Sequence, residues 1–124
     1  MINNNKDLSI NNEREFLKNY WNIYKTLLFE SNRDLDLINI KNLFKKVNKN
    51  GGKIIFVGNG ASASLSSHSA TDLTKQGKIT SIALNDHNLI TALSNDYGYE
   101  NWVSKALSYY ADNRDLLVLF SVSG

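Results

Sequence analysis

Apolar residues between Phe16 and Phe29 recur at Phe16, Leu17, Tyr20, Trp21, Tyr24, Leu27 and Leu28, which is helical spacing with a wide, aromatic face. A face of that width predicts packing across a subunit boundary and therefore a homo-oligomer, a dimer or a tetramer. A second helix is predicted from Asp34 to Lys49, where Leu37, Ile40, Phe44 and Val47 share one side. Its acids lie in the first turn and its lysines in the last, the order that suits the helix dipole. Asn50, Gly51 and Gly52 then stop it, because glycine accepts the left-handed conformation that ends helices.

The period changes at Lys53. The run Lys53-Ile54-Ile55-Phe56-Val57 is short, continuous, rich in β-branched residues and bounded by glycine, as expected of a strand buried on both faces of a parallel sheet. Ile79 to Leu84 and Leu116 to Phe120 read the same way. Helical stretches separate them: Ala61 to Gln76, a short one around Asn88 to Ser94, and Glu100 to Ala111 with the stripe Trp102, Val103, Ala106, Leu107 and Tyr110. Strand, helix, strand, helix, strand predicts right-handed crossovers in an α/β layer fold. The reading divides the chain into a helical segment over 1–50, serving oligomerisation, and the α/β portion over 51–124.

Composition narrows the chemistry. The chain has 124 residues, 42% of them hydrophobic, enough for one domain with one core. It contains no cysteine, which removes disulfides, thiolate metal sites and a cysteine nucleophile. The net charge of +2 comes from 14 basic and 12 acidic residues, with only short basic clusters such as Lys45, Lys46 and Lys49, so no nucleic-acid partner is expected. The start of the chain has no apolar signal-peptide core, and no apolar run approaches the roughly 18 residues of a membrane span. These features predict a cytoplasmic protein without a membrane partner.

Two loops carry chemistry. Gly58-Asn59-Gly60-Ala61-Ser62 follows the first strand and opens a helix. Glycines let that backbone turn sharply and approach a ligand, and the first N–H groups of the helix attract an anion. Alone, the segment is equally a tight strand-to-helix turn with no ligand, since it is neither the dinucleotide fingerprint nor a P-loop. Ser121-Val122-Ser123-Gly124 follows the third strand and offers two hydroxyls beside a glycine. With strands ordered 2-1-3, as in flavodoxin-like sheets, both loops flank the crevice where such sheets bind ligands. His87, beside Asn85 and Asp86, is read as a capping neighbourhood; Tyr97 and Tyr99 flank Gly98 and could line a pocket, with packing the favoured reading.

Three blocks in order resemble the sugar isomerase (SIS) domain, and within it the phosphoheptose isomerases: Gly58 to Ala63 followed by His68, Ala70, Asp72 and Leu73; Asn95-Asp96-Tyr97-Gly98-Tyr99; and Ser121 to Gly124. The resemblance runs from about Lys53 to the last residue. It implies a flavodoxin-like or Rossmann-like parallel sheet, here its N-terminal portion preceded by two helices, and a phosphorylated sugar as partner. It also implies interconversion of sedoheptulose 7-phosphate and a heptose 7-phosphate, an early step towards the heptose of bacterial surface polysaccharide. The chemistry would be an aldose–ketose isomerisation through an enediol, for which carboxylate and imidazole groups suit the proton transfers.

Residue by residue, the resemblance assigns Ser121 and Ser123 to the sugar phosphate, and Asn59, Gly60 and Ser62 to phosphate or sugar hydroxyls. Asp96 would orient the open-chain sugar, and Asp72 and His68 would be the catalytic pair. Asp72 stands where the family usually has Glu, one methylene longer, and a misplacement of that size costs ~100-fold in rate. His68 and Asp72, four residues apart on one helix face, are also the two residues a zinc ion would use, with at least one more ligand normally required. Related proteins continue past the equivalent of Gly124 with two more strands and a helix carrying another catalytic or metal-binding His. Ending at Gly124, the third strand is expected to have an open edge. The alternative to an isomerase is a non-catalytic SIS module, a phosphosugar sensor or protein adaptor.

Overall fold

The computed structural model describes the backbone of residues 4–30 and 32–122. Ser123 and Gly124 lie outside the described residues, so the Ser123 assignment is not addressed by the structure. By contacts the chain divides into two units, the first ending at Ile38 and the second beginning at Asn39.

The first unit contains α1 (Asn4–Lys25), continued by a π-turn over Thr26–Glu30, and the start of α2 (Asp34–Lys49). The predicted aromatic face is present on α1. Phe16 stacks on Tyr20 with centroids 6.2 Å apart, Tyr20 lies 4.9 Å from Tyr24, and Trp21 lies 6.2 Å from Tyr24. The wider π-turn begins at Thr26, whose hydroxyl donates to the Glu30 carboxylate at 3.1 Å.

The second unit is the α/β layer. Its elements are β1 (Ile54–Gly58), α3 (Ala61–Lys75), β2 (Ser81–Ala83), α4 (His87–Tyr97), a 3-10 turn over Tyr99–Asn101, α5 (Trp102–Tyr110) and β3 (Leu116–Phe120). The three strands are parallel in the order β2-β1-β3, with Ile54 opposite both Ser81 and Leu116, and Gly58 opposite Phe120. This is the predicted strand order and fold class.

Side chains alternate between two apolar layers. Ile55 and Val57 pack with Leu84, Leu93, Trp102 and Ala106 on the α4/α5 side. Ile54 and Phe56 pack with Ala70 and Ile79 on the α3 side, joined by Phe44 and Val47 from the second half of α2 and by Phe120, whose ring stacks on Phe56 at 5.8 Å. The contribution of Phe44 and Val47 to this core explains why the contact boundary falls inside α2.

Three expectations are corrected in detail. The second strand pairs only from Ser81 to Ala83, because the Ile79 N–H turns back to the Leu73 carbonyl at the end of α3. The helix predicted around Asn88–Ser94 is longer. Asp86 caps its start by accepting from the N–H groups of Asn88 and Leu89, and Gly98 at φ 86° ends it, confirming the capping neighbourhood of His87. Finally, β3 is not buried on both faces. Leu117 and Leu119 are exposed and Leu116, Val118 and Phe120 half-buried, because among the described residues β3 has a strand neighbour on one side only.

The beginnings of β1 and β3 are tied by one carboxylate. Asp115 accepts from the Lys53 N–H at 2.8 Å, from the Lys53 ammonium and from the Asp112 N–H at 2.8 Å, with its side chain only 4% exposed. Burial pushes the Asp115 carboxyl up, but these hydrogen bonds outweigh it and hold the group below its ordinary range. Neighbouring Asp112 is pulled down to about 2 by the side-chain hydrogen bond from Arg114 and by the Arg114 N–H.

Candidate functional site

The turn from β1 into α3 is built from two glycines with different tasks. Gly58 is needed for space: a Cβ there would lie 2.4 Å from the Ser62 carbonyl oxygen, so the first turn of α3 approaches the strand only because the side chain is absent. Gly60 is needed for conformation: it sits at φ 55°, ψ −123°, with open space where a Cβ would be. The turn is closed by the Ser62 N–H donating to the Asn59 carbonyl and the Ala63 N–H to the Gly60 carbonyl, each at 3.0 Å. The N–H groups of Gly60 and Ala61 have no acceptor among the described residues. They stand at the positive end of a 15-residue helix, the arrangement that attracts an anion.

Because β1 and β3 are neighbours in parallel register, the chain leaves both strands on the same side of the sheet. A cleft of about 400 Å³ lies there, lined by Val57, Gly58 and Asn59 from the first loop and Leu119, Phe120 and Ser121 from the second. Its remaining wall is Tyr99, Glu100, Trp102 and Val103. The predicted loops thus meet, with Asn59 and Ser121 on the same cavity and Gly60 and Ser62 in the adjoining turn. Tyr99 differs from its expected packing role. It is 55% exposed, lines the cleft, and its hydroxyl donates to Asn59 Oδ1 at 3.0 Å. Tyr97 does not line the cleft and has its hydroxyl 3.5 Å from that of Tyr109.

The other predicted site residues are elsewhere. His68 Nε2 and Asp72 Oδ2 are 3.2 Å apart on α3, as their spacing predicts. Asp72 lies about three turns along the helix from Ala61, roughly 16 Å at about 1.5 Å per residue. It lines a separate apolar hollow of about 500 Å³ with Phe44, Phe56, Val118 and Phe120. Asp96 is exposed on the last turn of α4, where it accepts from the Asn95 side chain at 3.0 Å. Among the described residues no group of three His, Cys, Asp or Glu side chains is arranged to hold a metal ion. His68 and Asp72 are therefore one ligand short of a zinc site within these residues.

An open parallel sheet whose adjacent strands bring their following loops to one cleft at the carboxyl ends defines an α/β protein with its crevice where such sheets bind ligands. No family model matches the chain. Among curated proteins it is similar to phosphoheptose isomerases: 43% identical to that of Akkermansia muciniphila and 40% to that of Helicobacter pylori, each over 82 residues, 61% of this chain and 43% of the relative. The chain thus spans less than half the length of these relatives. Among solved structures, phosphoheptose isomerase GmhA from Neisseria gonorrhoeae superposes with a TM-score of 0.75 at 29% identity, covering 89% of this chain and 60% of that one. A phosphoheptose isomerase from Francisella tularensis, at 20% identity and a TM-score of 0.74, shares the fold.

Proposed function

We propose that this chain is the phosphate-gripping portion of a sugar-phosphate isomerase of the phosphoheptose type. The observation that carries this reading is the convergence of Asn59, from the turn between β1 and α3, and Ser121, from the loop after β3, on one cleft. The relatives named above, all phosphoheptose isomerases, support it. The Gly60 and Ala61 N–H groups and the hydroxyls of Ser62 and Ser121 supply donors for phosphate oxygens. Asn59, held by the Tyr99 hydroxyl, reaches the sugar beyond it.

Isomerisation also needs a base that takes a proton from one carbon of the open-chain sugar and returns it to the next. Asp72, paired with His68, has the chemistry, but the distance along α3 exceeds the roughly 9 Å that an extended seven-carbon phosphate spans at covalent bond lengths of about 1.5 Å. Asp72 therefore serves a sugar held by another copy of the chain. The exposed aromatic stripe of α1, with Phe16 and Trp21 each more than half exposed, gives that copy a surface to pack on. A zinc ion at His68 and Asp72 would likewise draw a further ligand from outside the described residues.

Calorimetric titration with sedoheptulose 7-phosphate, beside inorganic phosphate, tests the reading. Saturable binding is expected, lost in Ser121→Ala/Ser123→Ala, and light scattering at micromolar concentration is expected to give a dimer or tetramer. A folded protein that binds neither ligand removes the proposal. Sugar binding without turnover would favour the sensor or adaptor reading.

A further inference from the structure

The side chain of Asn59 is flanked by glycine on both sides, so its own loop offers little to fix its rotamer. Its one hydrogen bond among the described residues crosses 40 positions of sequence, from the Tyr99 hydroxyl to Oδ1 at 3.0 Å. Tyr99 is in turn aimed by Gly98. That residue has φ 86° between α4 and the 3-10 turn, and a Cβ there would lie 2.8 Å from the Glu100 carboxylate. The tyrosine lines the same cleft as Asn59 and Ser121.

A carboxamide has one acceptor and one donor end, and a phenol that donates to the oxygen decides which end is left. With Oδ1 engaged by Tyr99, the two Nδ2–H donors of Asn59 remain for a ligand. We propose that Tyr99 is a positioning residue that locks the Asn59 amide with its donor end towards the ligand. The cleft is thereby made specific for an acceptor-rich group, a phosphate ester or the oxygens of a polyol next to it. The specificity for phosphorylated sugar rests on the function proposed above; the locking of the amide does not.

Tyr99→Phe removes only the hydroxyl and leaves the half-exposed ring, so the fold is not at risk. Against sedoheptulose 7-phosphate, Tyr99→Phe is expected to weaken binding about tenfold, the equivalent of one lost hydrogen bond. Asn59→Ala is expected to weaken it at least as much, and the double variant no further than Asn59→Ala alone, because the tyrosine acts through the asparagine. Additive losses, or binding by Tyr99→Phe within twofold of the parent, would overturn the proposal.

A second readout does not depend on ligand. In 1H–15N spectra the Asn59 side-chain NH2 pair, assigned by its disappearance in Asn59→Ala, is expected to be rigid in the parent and to become mobile in Tyr99→Phe. An Asn59 amide equally mobile in both proteins sinks the proposal even if no sugar binds. Failure of sugar binding with a rigid, Tyr99-dependent amide removes only the function.

Discussion

β1 and β3 are five-residue, apolar, parallel neighbours, Ile-Ile-Phe-Val-Gly beside Leu-Leu-Val-Leu-Phe, yet they live in different surroundings. Ile55 and Leu117 are partners in register, the first with no exposed surface and the second 37% exposed; at the next same-face pair Val57 is buried and Leu119 is 63% exposed. Composition does not make this difference. β1 has a strand on each side and a helix layer on each face, whereas β3 has one strand neighbour among the described residues and incomplete cover. Burial belongs to a strand's place in the sheet as much as to its residues.

The contrast is broken most forcefully by paired truncations. Ile55→Ala is expected to cost about 2–5 kcal/mol, as for a fully buried isoleucine that leaves a cavity, whereas Leu117→Ala across the ladder is expected to cost about 1 kcal/mol or less. Urea unfolding of both variants measures the gap, and equal losses would mean that β3 is as enclosed in solution as β1.

Asp115 is the next lever, because it holds the starts of both strands. Asp115→Asn is expected to cost about 1–3 kcal/mol at neutral pH, through the loss of its charged hydrogen bonds to Lys53. The folded carboxyl lies below its ordinary value of 3.8, so the stability it contributes is present above that pH and lost as the pH falls through the folded value. The difference between parent and variant should therefore be constant near neutrality and shrink below about pH 4. A difference that grows on acidification would reverse the sign assigned here.

The smallest expected change in stability sharpens the comparison from the other side. Leu119→Lys, on the exposed face of β3, is expected to leave the unfolding free energy from urea titration within about 0.5 kcal/mol of the parent. It should raise the concentration at which the protein self-associates, because lysine is a standard guard of an exposed edge. Light scattering across a concentration series decides it.

These differences mark what the sequence could disclose. The strand β1 was legible because a continuous β-branched run between glycines has few alternatives, whereas the order β2-β1-β3 came by analogy with flavodoxin-like sheets and not from the crossovers alone. The half-exposed state of β3 was not legible from Leu116 to Phe120, since that run has the same character as β1. The meeting of Asn59 and Ser121 could be anticipated from the strand order. The part played by Tyr99 could not, because it depends on the backbone turn at Gly98 and on a contact 40 residues away. The spacing of His68 and Asp72 was correct as a helical pair, and their distance from the turn at Asn59 was legible too, since it follows from the residues of α3 that separate Asp72 from Ala61.

The Asp115 clamp also acts as a gauge for the cleft. It sits at the amino ends of β1 and β3, while Asn59 and Ser121 emerge at their carboxyl ends. By fixing where both strands start, it fixes how far each has travelled when it reaches the cleft. A slip of one residue would displace Ser121 by about 3.3 Å and turn Phe120 to the opposite face, away from its stack on Phe56. The alignment of the two cleft loops is metered from the opposite rim of the sheet, by the Asp115 carboxylate.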